Sequence, residues 1–277
     1  MKRFYIFILL LMVFISGCTS SNRDISDGAT LSATASTTEP TTVPTTAPTE
    51  PSTVPTENPN LLHVESGAYY GKFEKPGFYG SLEYYLHIPE NAEKNMPLIV
   101  FLHGDGEIRK IDAMKSIALV ENAKTYYGEN YPFIAIAPCR VTDSWCDSPN
   151  PRVLCDLIED TAAQYEIDRE RIIITGFSSG AMGTWYMITN HTELFSAAVP
   201  ISCPNEYPIL YDNIKNIPIW GFVGELEDYY KRKMAEIVDR TVQSGGDAKL
   251  TIIPEMPHKG MDSAAYTREV IEWMISQ

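Results

Sequence analysis

From residue 61 onward, short apolar runs alternate with longer stretches in which apolar positions recur every three or four residues. The runs Ser81–Ile88, 97–102 (Pro-Leu-Ile-Val-Phe-Leu), 133–137 (Phe-Ile-Ala-Ile-Ala), 171–175 (Arg-Ile-Ile-Ile-Thr), Ala197–Ile201, 217–223 and 249–253 have the length and β-branched content of strands. Residues 67–73 read as a partner for the first of them. The helical spacing predicts helices over 113–122, from Asn150 through Val153, Leu154, Leu157, Ile158, Ala162 and Tyr165, over 181–188, over Asp228–Gln243 and over 262–275. Asn150-Pro151 reads as a capping residue followed by proline in the first turn, and Ser244-Gly245-Gly246 as a helix stop. Buried strands alternating with helices predict an α/β fold with a mainly parallel central sheet and helices on both faces. No internal repeat is visible.

The pattern before residue 61 is different. Met1-Lys2-Arg3 is a basic start, and residues 4–15 are uninterruptedly apolar but short of the ~20 residues a spanning helix needs. Ile15-Ser16-Gly17-Cys18 follows. Residues 1–17 thus read as a signal peptide, and their end resembles the lipobox of bacterial lipoproteins. That resemblance implies cleavage before Cys18, whose thiol would carry a diacylglycerol and anchor the protein to the outer face of a bacterial cell membrane. An uncleaved anchor or a plain secretory signal also leads out of the cytoplasm. Residues 18–60 are polar and rich in Thr and Pro, with Pro40, Pro44, Pro48, Pro51, Pro55 and Pro59. Such a segment forms no core and reads as an extended, disordered tether with a reach of several nanometres at ~3.1 Å per residue. Residues 61–277 form the single predicted domain.

The formal charge is −14, and it becomes two units more negative once Lys2 and Arg3 leave with the signal peptide. An acidic surface repels phosphate backbones, which argues against a nucleic-acid partner. Cys139, Cys146, Cys155 and Cys203 allow three full pairings in an oxidising compartment, and their spacing selects none. No Cys-x-x-Cys or His-rich cluster suggests a metal.

The candidate chemistry lies at strand ends, where open α/β sheets place their sites. Gly176-Phe177-Ser178-Ser179-Gly180 stands between a strand and a helix, the context of a nucleophile elbow. The sharp turn exposes Ser178 Oγ and aims the helix N-terminus, with free N–H groups, at any oxyanion formed there. After residues 97–102 comes His103-Gly104-Asp105-Gly106-Glu107, a turn able to supply one oxyanion donor near Gly104 or Asp105 while Ser179 N–H supplies the other. His103 itself reads as a prop for that turn. After residues 217–223 come Glu225, Glu227 and Asp228. An acid here has the chain order Ser…acid…His; Glu227 is favoured, Asp228 is the alternative, and either of the two can instead cap the following helix. Pro257-His258-Lys259 lies in the last loop before the terminal helix, where a general base belongs. His63, His87 and His191 stand at the tether border, in an early strand and at a helix end.

The segments 98–107, 168–178, Gly183-Thr184-Trp185 and His258…Glu272-Trp273 together resemble the α/β-hydrolase esterases of the dienelactone-hydrolase-like and polyhydroxybutyrate-depolymerase-like group, which includes predicted peptidases and phospholipase/carboxylesterases. The likeness spans essentially all of 61–277. It implies a serine hydrolase acting on carboxylic esters without metal or cofactor, with Ser178, His258 and an acid as triad. Two departures stand out: the usual His-Gly-x-x-Asp acid turn is Val223-Gly224-Glu225-Leu226-Glu227, and the usual Met-Gly-Gly after the nucleophile is replaced by Ser179-Gly180-Ala181-Met182-Gly183. With a tether and an anchor, acetyl or feruloyl esters of plant cell-wall polysaccharide are suggested as substrates, short-chain lipid or generic carboxylic esters standing equally open. Trp145 and Trp185 are candidates to flank an acyl or sugar group, Trp185 on the elbow helix reading first as core. A serine peptidase of the same fold and a non-catalytic surface-binding lipoprotein are the alternatives.

Overall fold

A computed structural model describes residues 62, 64–74, 81–107 and 110–277. Cys18, the signal peptide and the tether lie outside the described residues.

Among the described residues, eight strands form one sheet in the order β1-β2-β4-β3-β5-β6-β7-β8. They are β1 (Gly67–Glu74), β2 (Ser81–Ile88), β3 (Leu98–Leu102), β4 (Ile134–Cys139), β5 (Ile172–Phe177), β6 (Ala197–Ile201), β7 (Ile219–Gly224) and β8 (Ala248–Ile253). The β1/β2 and β2/β4 pairs are antiparallel, and every pair from β4 onward is parallel. Among the described residues, seven α-helices accompany the sheet: α1 (Ala118–Tyr127), α2 (Asn150–Gln164), α3 (Ser179–Asn190), α4 (Tyr211–Ile214), α5 (Asp228–Gln243), α6 (Met261–Ala265) and α7 (Arg268–Ile275).

Side-chain alternation along the strands separates two cores. In β3, Leu98, Val100 and Leu102 face one layer, with Leu154 and Leu157 of α2, Trp185 of α3 and Ile237 of α5. Ile99 and Phe101 face the other, with Leu119 and Val120 of α1, Met261 of α6 and Ile271 of α7. Strands covered on both faces explain the near-continuous apolar runs.

Three local expectations shift. The helix expected over 113–122 is a 3₁₀ turn, Ile111–Lys115, followed by α1 from Ala118. Ser116 and Ile117 are extended between them, so Met114 and Ile117 both reach the core beneath. The terminal helix is split in two: Tyr266 is fully buried with its hydroxyl against Thr175 Oγ1, and Thr267 caps α7 by accepting from Val270 N–H. Asn150 is not a cap. Its Nδ2 donates to Thr142 Oγ1 (2.6 Å) and Ser144 O (2.8 Å), tying the loop after β4 to the start of α2.

Candidate active site

The elbow is built by close approach. Ser178 has φ 56° and ψ −123°, a strained conformation worth ~1–3 kcal/mol that persists because its surroundings hold it. A Cβ on Gly180 would sit 2.0 Å from Leu102 O, and one on Gly176 would sit 2.4 Å from Gly180 O. Only glycine lets α3 pass this near the ends of β3 and β5. Ser178 N–H donates to Ile201 O (2.9 Å), fastening the turn to β6.

His258 lies across the elbow from the last long loop. Its Nε2 is 3.0 Å from Ser178 Oγ, and its Nδ1 is 2.5 Å from Glu227 Oε1. A carboxylate accepting at Nδ1 keeps the proton there and leaves Nε2 to accept from the serine hydroxyl. Glu227 is 8 % exposed and fully engaged: Oε2 accepts from Gly224 N–H (2.7 Å) and from Ser202 Oγ–H (2.6 Å). The His258 ring packs between Phe177 (4.8 Å between centroids) and Tyr230 (5.5 Å).

The alternative acids go elsewhere. Asp228, the first residue of α5, is 93 % exposed and pairs with Lys231 at 3.1 Å. Glu225 Oε2 accepts from Glu255 N–H. Glu227 occupies the N-cap position of α5 without a side-chain capping bond, because its carboxylate is turned to His258.

The turn after β3 is braced from behind. His103 is buried, and its Nε2 accepts from Arg140 N–H (3.2 Å) while its Nδ1–H donates to Gly104 O (2.6 Å). Burial lowers its pKa to about 4, so it is neutral and structural. With the Gly104 carbonyl turned to that ring, the planar trans peptide directs Asp105 N–H the opposite way. Ser179 begins α3, whose first N–H groups have no intrahelical acceptor.

Trp185 is fully buried, as its reading as core on the elbow helix predicts, and Trp145, a candidate to flank a bound group, is fully buried as well. Trp145 Nε1–H donates to His103 O and Trp185 Nε1–H to Cys203 O, so both brace backbone instead. Among the described residues, no disulfide joins Cys139, Cys146, Cys155 or Cys203. Two residues of the site escaped the sequence reading: Ser202, which donates to Glu227, and Arg140, which reaches Ser179 Oγ (3.0 Å) and the Asp105 carboxylate. Each stands one residue beyond a strand end, Ile201 or Cys139, which was the available signal.

No family model matches the chain. Over 157 residues it is 24 % identical to poly(3-hydroxyalkanoate) depolymerase C of Paucimonas lemoignei, covering 52 % of this chain and 37 % of that one. Over 128 residues it is 26 % identical to acetylxylan esterase A of Emericella nidulans, covering 42 % and 40 %. The chain thus spans less than half the length of these curated relatives. Among solved structures, a thermostable esterase superposes with a TM-score of 0.63 at 28 % identity, over 76 % of this chain and 63 % of that one. The feruloyl esterase module from Clostridium thermocellum, bound to sinapinate, matches in fold at TM-score 0.55 and 14 % identity, over 73 % and 88 %. The chain has the α/β-hydrolase fold, and the proteins it resembles in sequence and structure include esterases of that type.

Proposed function

We propose that this protein is a serine carboxylesterase that works through an acyl-enzyme. The observation that carries the reading is the hydrogen-bond chain from Glu227 through His258 to Ser178 on a strained elbow. Ser178 Oγ attacks the ester carbonyl carbon as its proton passes to His258 Nε2. Glu227 stabilises the imidazolium, and the oxyanion is received by the N–H groups of Ser179 and of the Gly104–Asp105 turn. His258 then returns the proton to the departing alcohol. Water, deprotonated by His258, releases the acid and restores the serine hydroxyl.

The proposed substrates are acetyl or feruloyl esters of plant cell-wall polysaccharide. Support comes from the acetylxylan esterases among the relatives and from the cleft of about 400 Å³ beside His258, walled by Leu226, Tyr229, Tyr230 and Pro257. Aromatic walls of this kind suit the ring of a feruloyl group or the apolar face of a sugar. In the same reading the enzyme works outside the cell, held to the membrane by lipid on Cys18.

A fluorophosphonate probe tests the chemistry: the protein is expected to label, and Ser178→Ala to abolish labelling and ester turnover together. An unlabelled, inactive wild type would end the hydrolase reading. Assays on p-nitrophenyl acetate, methyl ferulate, acetylated xylan and peptide amides test the substrate, with the first three expected to be hydrolysed and the amides spared. For the anchor, metabolic labelling with a fatty-acid analogue in a bacterial host should mark the wild type and not Cys18→Ala; equal labelling of both removes the lipid site.

A further inference from the structure

Arg140 follows β4 and has a side chain with 0 % exposure. From there its guanidinium crosses the end of β3 and makes two contacts. Nη1–H donates to Ser179 Oγ at 3.0 Å, and Nη2–H is ion-paired with Asp105. The Ser179 hydroxyl in turn bonds to the Asp105 carboxylate. Burial alone would raise the Asp105 pKa, but the bonds from Ser179 and Arg140 and the arginine's charge outweigh it and leave the group below its ordinary value. Arg140 Nε–H is buried without a partner in this structure. A wholly buried guanidinium with one donor unsatisfied, paired to a carboxylate that is 70 % exposed, is a poor source of stability. Its position suggests another use.

The two residues it grips are those whose backbones flank the oxyanion position, one at the start of α3 and one in the turn after β3. These segments are 74 residues apart in the chain and are joined here by strand packing, by the Ser179–Asp105 bond and by this guanidinium, which holds both side chains at once. We propose that Arg140 is the positioning residue of the oxyanion hole. It fixes the spacing of the two backbone donors, Ser179 N–H and Asp105 N–H, and places a positive charge behind them. This rests on the serine-esterase reading above. A planar fork suits the task, since a lysine ammonium cannot span both acceptors in one geometry.

The test compares Arg140→Met, Arg140→Lys, Asp105→Ala and Ser179→Ala on p-nitrophenyl acetate, with kcat expressed per fluorophosphonate-titrated site. Displacing one oxyanion donor typically costs ~10²-fold in turnover or more, so Arg140→Met is expected to lose kcat on that scale with KM little changed. Arg140→Lys should recover part of the loss. The double variant Arg140→Met/Asp105→Ala should be no slower than the slower single, because both cut one clamp. A purely structural role predicts fewer titratable sites and lower thermal midpoints at unchanged kcat per site, and that result overturns the proposal. So does a loss confined to KM, or a multiplicative double variant. If Arg140→Met does not fold, Asp105→Ala and Ser179→Ala, which leave the arginine in place and cut one arm each, decide: unchanged kcat per site in both refutes the clamp. A wild type that neither labels nor turns over ester fails the esterase reading, not the clamp alone.

Discussion

A carboxylate whose two oxygens are divided between a base and its own scaffold is a specific arrangement. Glu227 gives Oε1 to His258 and Oε2 to Gly224 N–H and Ser202 Oγ–H. A glutamate here instead of the shorter aspartate reaches His258 from the N-cap position of α5. Glu227→Gln keeps the shape but can present an N–H to Nδ1 and favour the wrong tautomer. By the behaviour of triad acids it should lower kcat by up to about 10⁴-fold, whereas Asp228→Asn, at an exposed ion pair, should change it little. Turnover of p-nitrophenyl acetate checks the pair, and the reverse order moves the acid to Asp228. Ser202→Ala removes a charge-assisted bond of about 1.5–3 kcal/mol. It should lower the urea midpoint, while the Gly224 N–H keeps Glu227 oriented and much of the activity survives.

At the scale of elements, the site depends on how closely α3 passes the end of β3. The modest approach of most helices to a sheet tolerates a methyl group; here the Gly180 Cβ position is 2.0 Å from backbone that cannot rotate away. Gly180→Ala must push α3 outward or distort β3. We expect a loss of about 3 kcal/mol or more in urea unfolding, with ester turnover falling further than stability because the elbow and its donors move together. A variant as stable as wild type would show that the helix has room to shift. The split of the C-terminal helix at Tyr266 and Thr267 belongs to the same scale. It buries Tyr266 at the break, while α6 through Met261 and Ala265 and α7 through Val270, Ile271 and Met274 pack in the same core layer.

For the whole molecule, two buried imidazoles set the response to acid. His87 is 2 % exposed and His103 1 %, and burial depresses each to about pKa 4. In the unfolded chain both titrate near 6.5. Below that pH the unfolded state binds more protons, so their contribution is full above pH 6.5. It is lost as pH falls toward 4, by up to about 1.4 kcal/mol per pH unit for each ring. Thermal midpoints should therefore drop between pH 7 and 5, and less steeply in His87→Gln, which retains a side-chain amide near Met114 O; an unchanged slope would exclude His87 as a source. The two-sided sheet that buries these rings was legible in the sequence, because strands covered on both faces must be apolar throughout and helices covered on one face must repeat at 3.6 residues. Ser178 and His258 were legible as well: a glycine-framed serine after a β-branched run and a histidine in the final loop are local patterns. Helix edges near Ser116 and Thr267 were not, since burial of Met114 and Tyr266 against distant strands decides them. Ser202 and Arg140 were not legible either, and Glu227, though favoured, was separated from its neighbour Asp228 only by where its carboxylate turns. Periodicity thus determined the layers, and the Gly-x-Ser-x-Gly pattern between a strand and a helix marked the candidate nucleophile. Which acid turns inward, and which arginine joins two turns 74 residues apart, was decided only by packing, because proximity across a sheet leaves no trace in the order of residues.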